Sequence, residues 1–172
     1  MFDKFGEFDS AEEMNKVVGE RMEEKTEAGV EAVLGIAEEN GIDKEEALDY
    51  INGMSDEFVT PLMAAVGKLD MEHKEYGIMG ILDEWETYVR ELCIEDEEMR
   101  LAVRRKGKSL AGCMALLIRF SFENKVQVSD KIVDITKITH NGKEEAMRKP
   151  LYLGVPTKAE ARKLIQQYYL GK

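Results

Sequence analysis

Apolar residues recur at helical spacing along most of this chain, and polar caps punctuate them. Ser10-Ala-Glu-Glu13 reads as a capping box, in which the Ser hydroxyl takes the Glu13 amide and Glu13 reaches back. It predicts a helix from Ala11 to about Lys25, preceded by Phe2, Phe5 and Phe8 as an apolar anchor. Val30, Val33, Leu34 and Ala37 share one face of a second helix, Glu27 to Glu39, which Asn40-Gly41 ends as a left-handed cap. Asp43-Lys-Glu-Glu46 is a second capping box and opens a third helix, through Ala47, Leu48 and Ile51 to Gly53. Thr60-Pro61 starts a fourth, because proline suits the first helical position, and Leu62, Met63, Val66 and Leu69 carry it to about Glu75.

Ile81, Trp85, Tyr88, Val89 and Leu92 mark the next helix. Acids at Glu95 to Glu98 suit the positive end of a further one, and apolar positions from Met99 to Ile118 extend it to about Phe122, with Gly107 and Gly112 as weak points. Beyond Asn124 the pattern thins. Val126, Val128, Ile132, Val133, Ile135 and Ile138 suit a strand or a short helix after Ser129; His140-Asn141-Gly142 is a turn and Leu151-Tyr152-Leu153 an extended piece. Thr157-Lys-Ala-Glu160 is a third capping box, opening a terminal helix with Ala161, Leu164, Ile165 and Tyr168 on one face. The expectation is a mainly α fold: a compact domain of six to eight helices with a short extended or β piece in the C-terminal third.

Charge adds a division that hydropathy does not show. Residues 1–98 hold 29 Asp+Glu against 8 Lys+Arg, and residues 99–172 hold 16 Lys+Arg against 6 Asp+Glu. An acidic half, 1–98, thus precedes a basic half, 99–172, packed with it as one domain or as two closely joined subdomains, with a further candidate boundary near 123–129. Such asymmetry speaks of partners rather than of fold.

At 172 residues, with 44% hydrophobic content, the chain buries a core without staples. Cys93 and Cys113 form neither a metal-type pair nor a disulfide framework, which suits a reducing cytosol, so a cytoplasmic location is expected. The opening Met1-Phe-Asp-Lys-Phe-Gly-Glu7 has no apolar stretch of the kind a signal peptide needs. The most apolar run, Leu110 to Phe122, contains Arg119 and falls short of the about 20 residues of a membrane span, so no membrane partner is expected.

Ile36 to Ile51 has the outline of a helix-turn-helix. Its second helix carries Asp43, Glu45, Glu46 and Asp49 against one Lys44, and phosphates would repel it. The hairpin therefore reads as a packing unit. Its carboxylates, with Glu38 and Glu39, have two readings: the solvated outer face of amphipathic helices, or a nucleic-acid mimic that binds a basic protein surface. A helix rises about 1.5 Å per residue and DNA carries a charge per about 1.7 Å, so dense Glu runs approach phosphate charge density. Arg104, Arg105, Lys106 and Lys108 form the compact basic cluster, and Arg148-Lys149 and Arg162-Lys163 lie near Tyr152, Tyr168 and Tyr169. They either answer the acids within the fold or bind nucleic acid or an acidic partner, aromatics beside cations being able to stack on unpaired bases.

Catalytic patterns are absent. His73 and His140 stand far apart without zinc-type spacing, and there is no Gly-rich phosphate loop, nucleophile elbow or deaminase signature. The chain reads as non-enzymatic, with no cofactor or metal, and its ten methionines as core filler.

Three stretches, Lys4-Phe-Gly-Glu-Phe-Asp-Ser-Ala-Glu-Glu13, Ala37-Glu-Glu-Asn-Gly-Ile-Asp-Lys-Glu-Glu-Ala-Leu-Asp-Tyr50 and Thr60-Pro-Leu-Met-Ala-Ala-Val-Gly-Lys-Leu69, together with Gly154-Val-Pro-Thr-Lys158 and Tyr168-Tyr169, resemble small acidic proteins of conjugative and phage-like elements of Gram-positive gut bacteria. That resemblance implies a mobile-element function, with an anti-CRISPR inhibitor of the RNA-guided nuclease Cas9, or of its guide and target complex, as the sharpest form. It assigns no residue a role. The rival expectation is a nucleic-acid-binding accessory of conjugation or replication that uses the basic half. Oligomeric state is not legible.

Overall fold

The computed structural model describes residues 2–23 and 25–171. Among them the chain forms nine helices and four short strands. α1 (Ala11–Met22), α2 (Glu27–Glu39), α3 (Lys44–Ile51), α4 (Pro61–Tyr76), α5 (Ile81–Glu95), α6 (Glu97–Arg104) and α7 (Leu110–Glu123) follow in order. A mostly exposed arm comes next: β1 (Val126–Gln127), α8 (Asp130–Ile135), β2 (Lys137–His140), β3 (Lys143–Ala146) and β4 (Tyr152–Leu153). α9 (Lys158–Leu170) closes the fold.

The expected mainly α architecture stands, and the helices begin where side chains satisfy their first amides. The Ser10 hydroxyl accepts from Glu13 N at 3.1 Å, Thr60 from Met63 N at 3.2 Å, and Ser109 from Gly112 N at 3.0 Å. At Thr157 the box is reciprocal: its hydroxyl takes Glu160 N and the Glu160 carboxylate takes Thr157 N. At Ser10 the return bond goes one residue further out, from Asp9 N to Glu13 Oε2.

One expectation is corrected. The apolar run from Met99 to Phe122 is two helices rather than one. α6 stops at Arg104, the chain turns through Gly107 at φ 78°, and Ser109 caps α7. Only glycine adopts that φ without strain. In the arm, both alternatives for residues 126–138 are realised, as a short helix flanked by strands. β1 pairs antiparallel with β4 (Val126 opposite Leu153), and β2 with β3 around Asn141-Gly142 at φ 50° and 75°.

Two apolar clusters hold the body. One joins Phe8, Met14, Val18, Val33, Ile36, Ala47 and Phe58 beneath α1–α3. The other joins Leu69, Trp85, Val89, Met99, Val103, Leu117, Ile165 and Tyr169 across α4–α7 and α9. α4 is their common wall, with Ala64 in the first and Ala65 in the second. The charge boundary at residue 98 is thus not a packing boundary, because the acidic α5 and the basic α9 share a core. None of the described helices is long and apolar enough to cross a membrane.

Candidate functional site

The α2–α3 hairpin is clamped to α4 by two glycines. A Cβ on Gly67 would lie 2.4 Å from the Asn40 carbonyl oxygen, and one on Gly41 would lie 2.3 Å from the Gly67 carbonyl oxygen. Gly41 also holds φ 67°, so no larger residue satisfies the turn and the contact together. This junction presents the acids of α2 and α3 on a fixed frame.

Glu38, Glu45, Glu46 and Asp49 are exposed and make no ion pair among the described residues. Asp43 is exposed as well and commits Oδ1 to Glu45 N at 2.7 Å as the α3 cap. Glu39 is withdrawn from the rim: its two carboxylate oxygens accept Lys4 N and Phe5 N, each at 2.9 Å, and tie the N-terminal segment down. That segment completes a cleft of about 680 Å³. Phe5, Leu34, Gly35 and Ile42 supply apolar lining, Glu31, Glu38 and Glu39 supply acids, and Lys4 and Lys44 are its two cations. The Phe5 ring lies against Gly35, where a Cβ would approach it to 2.8 Å. The lining thus sets carboxylates beside apolar surface.

The basic cluster is dispersed. Arg104, expected at a surface, is buried at 1% exposure. It sits under the N-terminal segment, where Nη2 donates to Asn40 Oδ1 at 2.7 Å and the Phe2 ring covers the guanidinium at 5.6 Å. Burial lowers its pKa to about 10, with Glu7, Glu72, Glu13 and Asp9 opposing the fall, so it stays a cation serving the fold. Lys106 pairs with Glu13 at 3.5 Å and its amide donates to Asp9. Lys108 Nζ donates to the Tyr168 carbonyl at 2.6 Å. On the arm, Lys149 pairs with Asp134 at 2.6 Å. Arg105 and Arg148 are exposed without an ion pair among the described residues. Lys158 and Arg162 reach across to Glu91, and Arg162 also to Glu95. Acidic and basic territories therefore stay apart at α2–α3 and are zipped together along α5 and α9.

The interior holds no activated nucleophile among its thiols. Burial pushes both Cys93 and Cys113 up to about 12, far from thiolate at neutral pH. Lys68 is spent on Glu7 at 2.9 Å and on the carbonyls of Arg105 and Lys108.

A second polar cleft, of about 300 Å³, lies between α4 and α5 and escaped the sequence reading. Asp70 and His73 line it from α4; Asp83, Glu86 and Arg90 line it from α5. Its sequence signal is a pair of i, i+3 couples, Asp70 with His73 and Asp83 with Glu86, each of which puts two polar groups on one helix face. The groove floor was equally hidden, since Phe5 meets Gly35 only through tertiary contact.

No family model matches the chain, and no curated protein and no solved structure matches it.

Proposed function

We propose that this protein is a non-enzymatic inhibitor of a nucleic-acid enzyme, docking its acidic α2–α3 face onto a basic surface of the target. One observation carries the reading. Glu38, Glu45, Glu46 and Asp49 stand exposed without a counter-ion among the described residues, beside a groove with apolar lining, whereas several cations of the C-terminal half are buried or paired. Unneutralised carboxylates repel duplex phosphates and are drawn to the Lys/Arg-lined channels that hold them. An RNA-guided nuclease such as Cas9 holds its guide and target in such a channel, and the resemblance to mobile-element proteins favours that target. A protein surface, unlike a nucleic-acid backbone, also supplies apolar side chains for the groove.

The test is DNA cleavage by purified Cas9 and guide. The chain suppresses cutting, and a variant carrying Glu38→Gln, Glu45→Gln, Glu46→Gln and Asp49→Asn does not, while melting within about 0.5 kcal/mol of the parent because these positions are exposed. Undiminished cutting across several Cas9 types at large excess of the chain removes the proposal. The rival reading, a nucleic-acid-binding accessory, draws on Arg105 and Arg148, which are exposed and make no ion pair among the described residues. It requires a salt-sensitive gel shift with single-stranded DNA or RNA that Arg105→Glu with Arg148→Glu abolishes.

A further inference from the structure

We propose that the α4–α5 cleft is a binding site for one divalent transition-metal ion, with His73, Asp83 and Glu86 as its protein ligands. One ligand atom from each of the three lies within 4.8 Å of the others. Three donors bound to one ion at about 2.0–2.2 Å stand roughly 3–4 Å apart, so small side-chain rotations close the set.

Glu86 is the anchor. It is 2% exposed, it points into the cleft, and its two oxygens have different neighbours. Oε1 accepts from Arg90 Nε at 2.9 Å and Nη2 at 2.5 Å, and Arg90 in turn holds Asp70 at 2.7 Å. Oε2 faces His73 Nδ1 at 2.6 Å. Arg90 thus holds the carboxylate through Oε1 and leaves Oε2 to the His73 side of the cleft, as outer-shell partners do for metal ligands. His73 is 38% exposed and Asp83 is exposed, so an ion has a path in.

Charge points the same way. Asp70, Asp83 and Glu86 line the cleft with the single Arg90 and with Lys74, three carboxylates against two cations, so negative charge remains for an ion to neutralise. The donor chemistry selects its class. An imidazole nitrogen beside two carboxylates suits zinc or a neighbouring transition ion, whereas magnesium and calcium take all-oxygen shells. Three protein ligands leave a fourth position for water. The bound ion cross-links α4 to α5 across their connecting turn. None of this depends on the acidic docking face.

The full chain, stripped with a chelator, is titrated with Zn²⁺ by calorimetry and with Co²⁺ by visible absorption. One ion per chain is expected, with His73→Gln and Asp83→Asn each weakening Zn²⁺ by at least about 10–100-fold, the range already seen for loss of a mere outer-shell partner. Both positions are accessible, and circular dichroism checks that the variants fold. Asp43→Asn with Glu46→Gln, on the docking face, leaves Zn²⁺ binding unchanged. Binding that survives both ligand variants, binding that falls only with the Asp43 and Glu46 pair, equal competition by Mg²⁺, or no binding at all overturns the proposal.

Discussion

Ionisation of Glu72 should lower the stability of this protein as pH rises, and Glu72→Gln should remove that contribution. The side chain is 2% exposed on α4 and accepts Leu110 N at 3.0 Å, at the start of α7. Burial is the largest influence on its carboxyl and raises it; the Leu110 amide and Lys68 pull it down, and Glu7 and Glu75 push it up. The outcome is a rise from 4.5 to about 7. Between those values the folded chain binds the Glu72 proton and the unfolded chain has released it. The stabilisation is therefore complete below about 4.5 and lost as pH rises through about 7. At about 1.4 kcal/mol per pH unit, that window amounts to about 3 kcal/mol. Gln at this position keeps an oxygen for Leu110 N and cannot ionise. The stability of Glu72→Gln relative to the parent should climb by about 3 kcal/mol from acid to mildly alkaline pH. Urea unfolding, followed by far-ultraviolet circular dichroism at pH 4.5, 5.5, 6.5, 7.5 and 8.5, measures it. Because both proteins share every other carboxylate, the difference isolates Glu72. Parallel profiles, or a relative loss at alkaline pH, would refute the reasoning and make the ionised carboxylate a favourable partner of Lys68.

Two further predictions test the frame around the site. Arg104→Glu places a carboxylate in a buried position facing Glu7, Glu72, Glu13 and Asp9, and should cost at least about 3–5 kcal/mol, whereas exposed Arg105→Glu stays within about 0.5 kcal/mol; equal melting curves would contradict the burial of Arg104. Gly67→Ala drives a methyl against the Asn40 carbonyl and should cost about 1–3 kcal/mol by chemical denaturation. An unshifted midpoint would mean that the α2–α3 hairpin does not rest on α4 as described.

The elements legible in the chain are those whose determinants lie within a few residues. Ser10 with Glu13, Thr60-Pro61 and Thr157 with Glu160 satisfy the first amides of their own helices, so α1, α4 and α9 begin where the pattern places them. Asn141-Gly142 likewise turns β2 into β3 by its own φ preferences. The acids of α2–α3 were equally visible, because their density and the scarcity of cations around them are properties of the string. The break between α6 and α7 was not, because apolar positions resume at Leu110 after the polar run from Arg104 to Ser109 and Gly107 by itself reads only as a weak point within one helix.

Tertiary packing decided the rest. Arg104 and Arg105 are neighbours in a basic run, yet one is sealed beneath Phe2 and Asn40, the latter 64 residues away, while the other meets solvent. Glu38 and Glu39 differ in the same way, one free at the rim and the other bound to the amides of Lys4 and Phe5. His73, Asp83 and Glu86 form a set only because α5 folds back on α4. Caps and turns act through bonds a few residues long, which composition and spacing encode directly; desolvation and the pairing of charges depend on which surfaces meet, and that is settled by the whole core at once.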